Sequence, residues 1–176
     1  ILRSPICAAD QCFANFVFAE VAKTLRVLPM QRGGSINQSA MDIAIHKLST
    51  GHWISVFPEG YIKQDGEIHT IRRGVGKLIL ESDPTPRVYP IYHRGMEGVK
   101  SERKWLPSFG SHVVVKLGDE IHFNDLIEDF KNGKMSADDT YILIANRIQK
   151  KLNDLKKEVD EYRAQHNIRN KAEDEV

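Results

Sequence analysis

From His52 to Gly60 the chain reads His-Trp-Ile-Ser-Val-Phe-Pro-Glu-Gly. Five residues suited to a buried strand, His52 to Val56, run into Phe57. Pro58 then removes the donor that a sheet ladder needs, and Glu59-Gly60 turns the chain away. A strand that stops on a carboxylate-bearing turn fits the open α/β sheets, which set their ligand chemistry outside the carboxyl ends of the strands.

The remaining periodicities agree with that layout. Ile6-Cys-Ala-Ala9 finishes a strand, and residues 11–25 read as a helix with Phe13, Phe16, Val17, Phe18, Val21 and Leu25 around much of its girth. Such a helix is either deeply buried or faces lipid. Residues 26–30 form a short strand into the turn Gln31-Arg-Gly-Gly34. Ser35 or Asn37 caps a helix with Met41, Ala44, Ile45 and Leu48 at helical spacing, closed by Gly51. Beyond the Phe-Pro-Glu-Gly turn come a polar loop (61–69), a helix (72–82) with Leu78 and Ile79 inward, a strand (87–92), a loop (100–111) and a strand (112–117). From Asp139 onward Tyr141, Ala145, Ile148, Leu152, Leu155, Val159 and Tyr162 mark a long helix. Alternating strands and helices predict a single-domain α/β fold over 1–165, with a largely parallel sheet flanked by helices. The charged residues 166–176 read as a disordered tail.

Composition removes whole classes of function. A net charge of +1, without a basic stripe interleaved with aromatics, gives no footprint for nucleic acid. Cys7 and Cys12 have no partner pair for a zinc site and read as buried free thiols in a reducing compartment. The chain opens Ile-Leu-Arg with no signal-peptide pattern, and nothing approaches the roughly 20 apolar residues of a membrane span. Membrane contact is therefore expected to be interfacial, through residues 11–25 or the loop Trp105-Leu-Pro-Ser-Phe109, or to reside in sequence outside these 176 residues; the bland alternative for both stretches is the core. The Gly-x-Ser-x-Gly elbow and the His-Glu-x-x-His pair are both missing, so neither a serine hydrolase nor a metal is expected. Arg73-Gly-Val-Gly-Lys lacks the upstream glycine and the hydroxyl residue of a phosphate loop.

Three candidate sites remain. Arg32 beside Gly33-Gly34 can offer a bidentate fork to a phosphate while the glycines let backbone approach; its bland alternative is a solvated surface residue. Glu59 ends a strand; by itself it is as well suited to a structural cap or ion pair. Arg72 and Arg73 open a helix, where the dipole disfavours cations, so they mark either an anionic ligand or a solvated face.

The order of these blocks carries a resemblance. Gln31-Arg-Gly-Gly34, Phe57-Pro-Glu-Gly60, Ile71-Arg-Arg-Gly-Val-Gly-Lys-Leu-Ile79 and Tyr89-Pro-Ile-Tyr-His-Arg-Gly-Met96 resemble successive blocks of the glycerolipid (phosphate) acyltransferase superfamily, and of its tafazzin branch in particular. The resemblance implies a phospholipid–lysophospholipid transacylase that remodels acyl chains of cardiolipin or other glycerophospholipids at mitochondrial membranes, with no cofactor. It implies that Arg32, Gly33, Phe57, Pro58, Glu59, Gly60 and Arg72 bind the glycerol-phosphate part of the acceptor. Beside arginines, Glu59 is expected to stay ionised as an acceptor or orienter, not to act as the base. The donor is a phospholipid or acyl-CoA; these residues do not choose. Oligomeric state is not legible.

The sequence departs from that superfamily at one point. Its catalytic block is His-x-x-x-x-Asp, in which the histidine removes the acceptor proton and the aspartate orients the ring. The seven histidines here are followed five positions on by Gly51, Phe57, Gly74, Gly98, Leu117, Ile127 and Lys171. An N-terminally incomplete acyltransferase, inactive alone, is the expectation; a non-catalytic lipid-binding relative is the rival.

Overall fold

A computed structural model of the chain describes residues 3–8, 10, 16–31, 33–61, 63, 65–99 and 110–168. They pack as two compact units. One is Ile1–Tyr61 with Thr70–Arg87 and Phe123–Asn146; the other is Ile62–His69 with Val88–His122 and Arg147–Val176.

The first unit is the α/β layer read from the sequence. Its parallel sheet has the order β2-β1-β3, with β1 at Arg3–Ala8, β2 at Leu28–Met30 and β3 at Trp53–Ser55. Helix α1 (Phe16–Thr24) crosses from β1 to β2, and α2 (Ser39–Ser49) from β2 to β3. Leu28, Met41, Ala44 and Leu78 form a buried cluster against which Ile6, Met30, Ile45, Leu48, Ile54 and Val56 pack. The alternate residues of the strands thus meet the helical stripe of α2, and this burial drives the layer together.

Several boundaries move for identifiable reasons. The expected strand 26–30 shortens because Arg26, at φ 56°, closes α1: its N–H bonds Lys23 O, and Val27 N–H bonds Ala22 O. On α1, Ala22 is buried while Phe16, Val21 and Leu25 are 80%, 51% and 60% exposed, so its described part is not a core helix. Residues 11–15 lie outside the described residues. Neither Ser35 nor Asn37 caps α2. Ser35 Oγ accepts the Asn37 N–H (3.1 Å), and extended Gln38 stands at the N-cap without a side-chain cap bond. Cys7 is disulfide-bonded, which overturns the expectation of free thiols; bridging depends on Cα separation, which spacing in sequence does not report.

Helix α3 (Gly74–Leu80) buries Leu78 and Ile79 as expected. It also meets the start of the long C-terminal helix at very short range: a Cβ on Gly76 would lie 2.3 Å from Tyr141 O. The Gly-x-Gly of this segment is thereby a helix-crossing device. Lys77 Nζ lies 2.9 Å from the Glu81 carboxylate, and the Tyr141 hydroxyl donates a short bond to Glu81.

The second unit holds an antiparallel pair, β4 (Ile91–Arg94) and β5 (Val114–Leu117), with Ile91 opposite Leu117 and His93 opposite Val115. The strand expected at 87–92 starts later because Pro90 cannot donate to the ladder, leaving Val88 a single bridge to Ile121. Tyr92 and Val114 turn inward onto Leu155, Val159 and Ile68. Outward stand Ile91, Val115 and Leu117, each about 60% exposed, so this ribbon has a bare apolar face. A short helix, α4 (Met96–Val99), follows β4.

Two helices complete the chain, α5 (Asn124–Lys131) and α6 (Ala137–Gln165). The first was not foreseen, although Phe123 and Ile127 at helical spacing are both buried. Ser136 caps the start of α6: its Oγ accepts the Asp139 N–H at 3.1 Å and donates to Asp139 Oδ2 at 2.6 Å. Its buried stripe is the expected one except at Tyr162, which is exposed and stacks on His166 at 4.1 Å between centroids, while Arg163 is buried. Asn167, at φ 51°, closes the helix as the Ile168 N–H bonds Arg163 O. His166 to Ile168 therefore cap the helix, and 169–176 lie outside the described residues. Among the described residues no helix is long and apolar enough to cross a membrane.

The Tyr141–Glu81–Lys77 cluster makes stability depend on pH at both ends. Burial pushes the Glu81 carboxyl up, but the bonds from Tyr141 and Lys77 outweigh it and hold the group below its ordinary value. Burial and the bond to Glu81 push the Tyr141 hydroxyl up. The Glu81 contribution is present above the ordinary carboxylate range and is lost as pH falls through the lowered value. The Tyr141 contribution is present below about pH 10 and is lost as pH rises through the raised value. Urea unfolding of Tyr141→Phe at pH 7 should show a loss of about 1 kcal/mol, near the low end for a charge-assisted bond because Glu81 is partly exposed. Unfolding midpoints taken from pH 3 to 11 should fall less steeply in the variant at both extremes.

Candidate functional site

The two loops that carry the sequence candidates follow β2 and β3, the two partners of β1 in the parallel sheet. Met30 pairs with Ala8 on one side of β1, and Ser55 pairs with Pro5 on the other. Both strands run parallel to β1, so the segments that follow β2 and β3 leave from the carboxyl edge of the sheet, on either side of β1. The order β2-β1-β3 makes the gap between β1 and β3 a topological switch point, where α/β sheets open a crevice for ligands.

Phe57, Pro58, Glu59 and Gly60 form a tight turn in which the Gly60 N–H bonds Phe57 O at 3.1 Å. Gly60 has φ +79°, a left-handed backbone that glycine adopts without strain. Phe57 is 62% exposed, and Pro58 and Glu59 are half-buried. Arg72 is fastened to this turn in three ways. Its N–H donates to Pro58 O (2.8 Å), its Nε donates to Glu59 O (3.3 Å), and its guanidinium carbon lies 5.9 Å from the Tyr61 ring centroid. Buried Ile71 anchors the segment just before it. A cation is thereby fixed beside the Glu59 turn, its fork set by backbone carbonyl and aromatic face.

The other candidates separate. Gly33 is exposed at φ +71° with no atom within 4 Å of a notional Cβ, so the turn after β2 is open on that side. Arg32 lies outside the described residues, as does the Trp105–Phe109 stretch. Arg73 does not join Arg72: its Nη1 donates to Asp138 Oδ1 (3.2 Å) in the first turn of α6, an exposed ion pair. Tyr61, read from sequence as part of a polar loop, belongs to the site through its ring; its place directly after Gly60 was the available signal. Among the described residues no group of three or more His, Cys, Asp or Glu is arranged to hold a metal. His69 Nε2 lies 2.8 Å from Asp65 Oδ2, but Asp65 also accepts the Glu67 N–H (3.0 Å), so this pair braces the loop of the second unit.

The comparisons with known proteins agree with this organisation. A family model described as Acyltransferase matches residues 3–94, which include both loops and Arg72. The chain is 30% identical over 167 residues to tafazzin of Drosophila melanogaster, across 94% of this chain and 44% of that protein. It is 36% identical over 131 residues to an N-acylphosphatidylethanolamine synthase of Arabidopsis thaliana, across 70% of this chain and 46% of the other. A Dictyostelium discoideum protein named taffazin is 30% identical over 136 residues, 74% of this chain and 48% of its own length. The chain thus spans less than half the length of these curated relatives.

The left-handed turn residue is directly testable. Gly60→Ala should lower stability by about 1–2 kcal/mol, because a Cβ is strained at this φ. Gly74→Ala, on a helical glycine with normal φ whose added Cβ meets only the flexible end of Met41, is the control and should cost less. Thermal unfolding of both variants by circular dichroism checks the difference.

Proposed function

We infer that this chain, which belongs to the acyltransferase family, provides the acceptor-binding part of a phospholipid–lysophospholipid transacylase of the tafazzin type. Its substrates are glycerophospholipids, cardiolipin among them, and it works at the surface of mitochondrial membranes. What most supports this reading is Arg72, a cation locked beside the Glu59 turn at the switch point of a parallel sheet. A lysophospholipid phosphate meets Arg72 and Arg32, with Gly33 and Gly60 letting backbone come close and Phe57 and Pro58 shaping the turn. Glu59 accepts from the glycerol hydroxyl and orients it.

The proton transfer belongs to a His-x-x-x-x-Asp block outside these 176 residues. Its histidine takes the proton from the acceptor hydroxyl, whose oxygen attacks the ester carbonyl of a donor phospholipid. The departing lysophospholipid oxygen recovers the proton as the new ester forms, so no cofactor is consumed. The name of the Arabidopsis thaliana relative also points to a phospholipid that receives an acyl group. Contact with the membrane is interfacial, supported by the exposed Phe16, Val21 and Leu25 of α1.

The test is transfer of labelled acyl chains to lysocardiolipin, from phosphatidylcholine in one arm and acyl-CoA in the other. It compares these 176 residues alone with a protein that also carries the His/Asp block. The longer protein should turn over with the phospholipid donor, and the 176 residues alone should run at least about 100-fold slower. In the longer protein, Arg72→Ala should raise the acceptor KM about 10-fold or more, with Arg72→Lys in between. The shape of the pH–rate profile should not change, because arginine does not titrate in this range. Turnover only with acyl-CoA, or wild-type kinetics in Arg72→Ala, would sink the reading.

A further inference from the structure

We propose that Gln38 is the positioning residue of the Gln31–Ser35 turn, holding it in the shape that receives the acceptor phosphate. Gln38 stands at the N-cap of α2, yet its amide does no capping; it turns back onto the loop that precedes it. Its Oε1 accepts the Gln31 N–H at 2.9 Å. Its Nε2 donates to Gln31 O at 3.3 Å and to Ser35 O at 2.8 Å. One side chain thereby imitates a strand partner, taking both backbone groups of Gln31 where β2 has just ended, and ties the far end of the turn to the same point.

Local geometry makes this amide the link that closes the turn. Gly33 is in the left-handed region, and a Cβ added there would meet no atom within 4 Å. A Cβ on Gly34 would lie 3.3 Å from Gln38 Nε2 and 3.4 Å from Gln31 O, so the second glycine leaves room for the amide. Within the described loop the remaining side-chain tie is the Ser35–Asn37 bond, which lies inside the α2 approach and leaves the mouth of the turn open. The residue types follow: only a side chain that accepts and donates at once, with the reach of glutamine, can make all three bonds. Because Gln38 touches the loop and not the substrate, its effect on binding is indirect.

The role in acceptor binding rests on the proposed transacylase reading; closure of the turn does not, and the experiment separates them. Trypsin cuts after arginine, and Arg32 stands in sequence between Gln31 and Gly33. Gln38→Met, similar in size but unable to make the bonds, should speed the Arg32–Gly33 cut by about 10-fold, as expected for losing bonds of this strength. Gln38→Glu keeps the acceptor but loses both donor bonds, and should be cut at least as fast as Gln38→Met. In the protein carrying the His/Asp block, Gln38→Met should raise the lysocardiolipin KM about 5-fold and leave kcat within about twofold, as loss of uniform binding requires. Its melting temperature should stay within about 4 °C of wild type. Wild-type cleavage rates in both variants would overturn the clamp. Faster cleavage with an unchanged KM would overturn its role in binding. A parallel fall in kcat and melting temperature would reduce Gln38 to a general stabiliser. If the wild-type protein transfers no acyl chain at all, the transacylase reading fails, and the proteolysis still decides whether Gln38 closes the turn.

Discussion

The sheet of the first unit depends on β1 serving two partners in succession. Arg3 to Pro5 pair with β3, and Ile6 to Ala8 pair with β2. A proline in a middle strand ordinarily argues against the strand, because it removes a ladder donor. Here Pro5 lies where only β3 is paired, so the missing N–H costs no bond to β2. By this stagger β2 ends at the level of Ala8 and β3 at the level of Pro5. Loops that are 27 residues apart between Met30 and Phe57 therefore emerge from the carboxyl edge of one sheet, on either side of β1. Every later feature of the site inherits this alignment.

Placed there, the two loops are stiffened in different ways. The Phe57–Gly60 turn is held from outside by Arg72, which reaches it from the start of α3. The Gln31–Ser35 turn is held from within by its own helix cap residue. Helix α3 is in turn pressed onto α6 at Gly76, with the Lys77–Glu81–Tyr141 cluster beside the crossing. A chain of contacts thus runs from a partly buried ionic cluster through α3 to the cation beside Glu59, all within one compact unit.

Much of this was legible in the residues. The strand-to-turn at Phe57-Pro-Glu-Gly60, the α2 stripe and the α6 stripe follow from periodicity, which reports burial directly. What sequence hid was anything set by long-range approach. Arg72 and Arg73 look alike at the head of a helix, yet one clasps a turn and the other pairs with Asp138, a residue 65 positions away. Gln38 has no local signature because its bonds run backward across the loop, whereas Ser35 and Asn37 look like caps and are not. Pro90 was readable as a ladder breaker and would have moved the start of β4 to Ile91. Tyr162 misled because the buried row continues from Leu155 and Val159 at i+4, which is Arg163; its long apolar stem takes the inner position instead.

The bare face of the β4–β5 ribbon bears on how the molecule behaves in a test tube. Ile91, Val115 and Leu117 form a flat apolar patch on a two-stranded ribbon, and a net charge of +1 supplies almost no repulsion between copies. In plain buffer near neutral pH such a face is an expected site of self-association as concentration rises. Amphiphile added at purification is then expected to act as a spacer between molecules, with the yield of monomer as its measure.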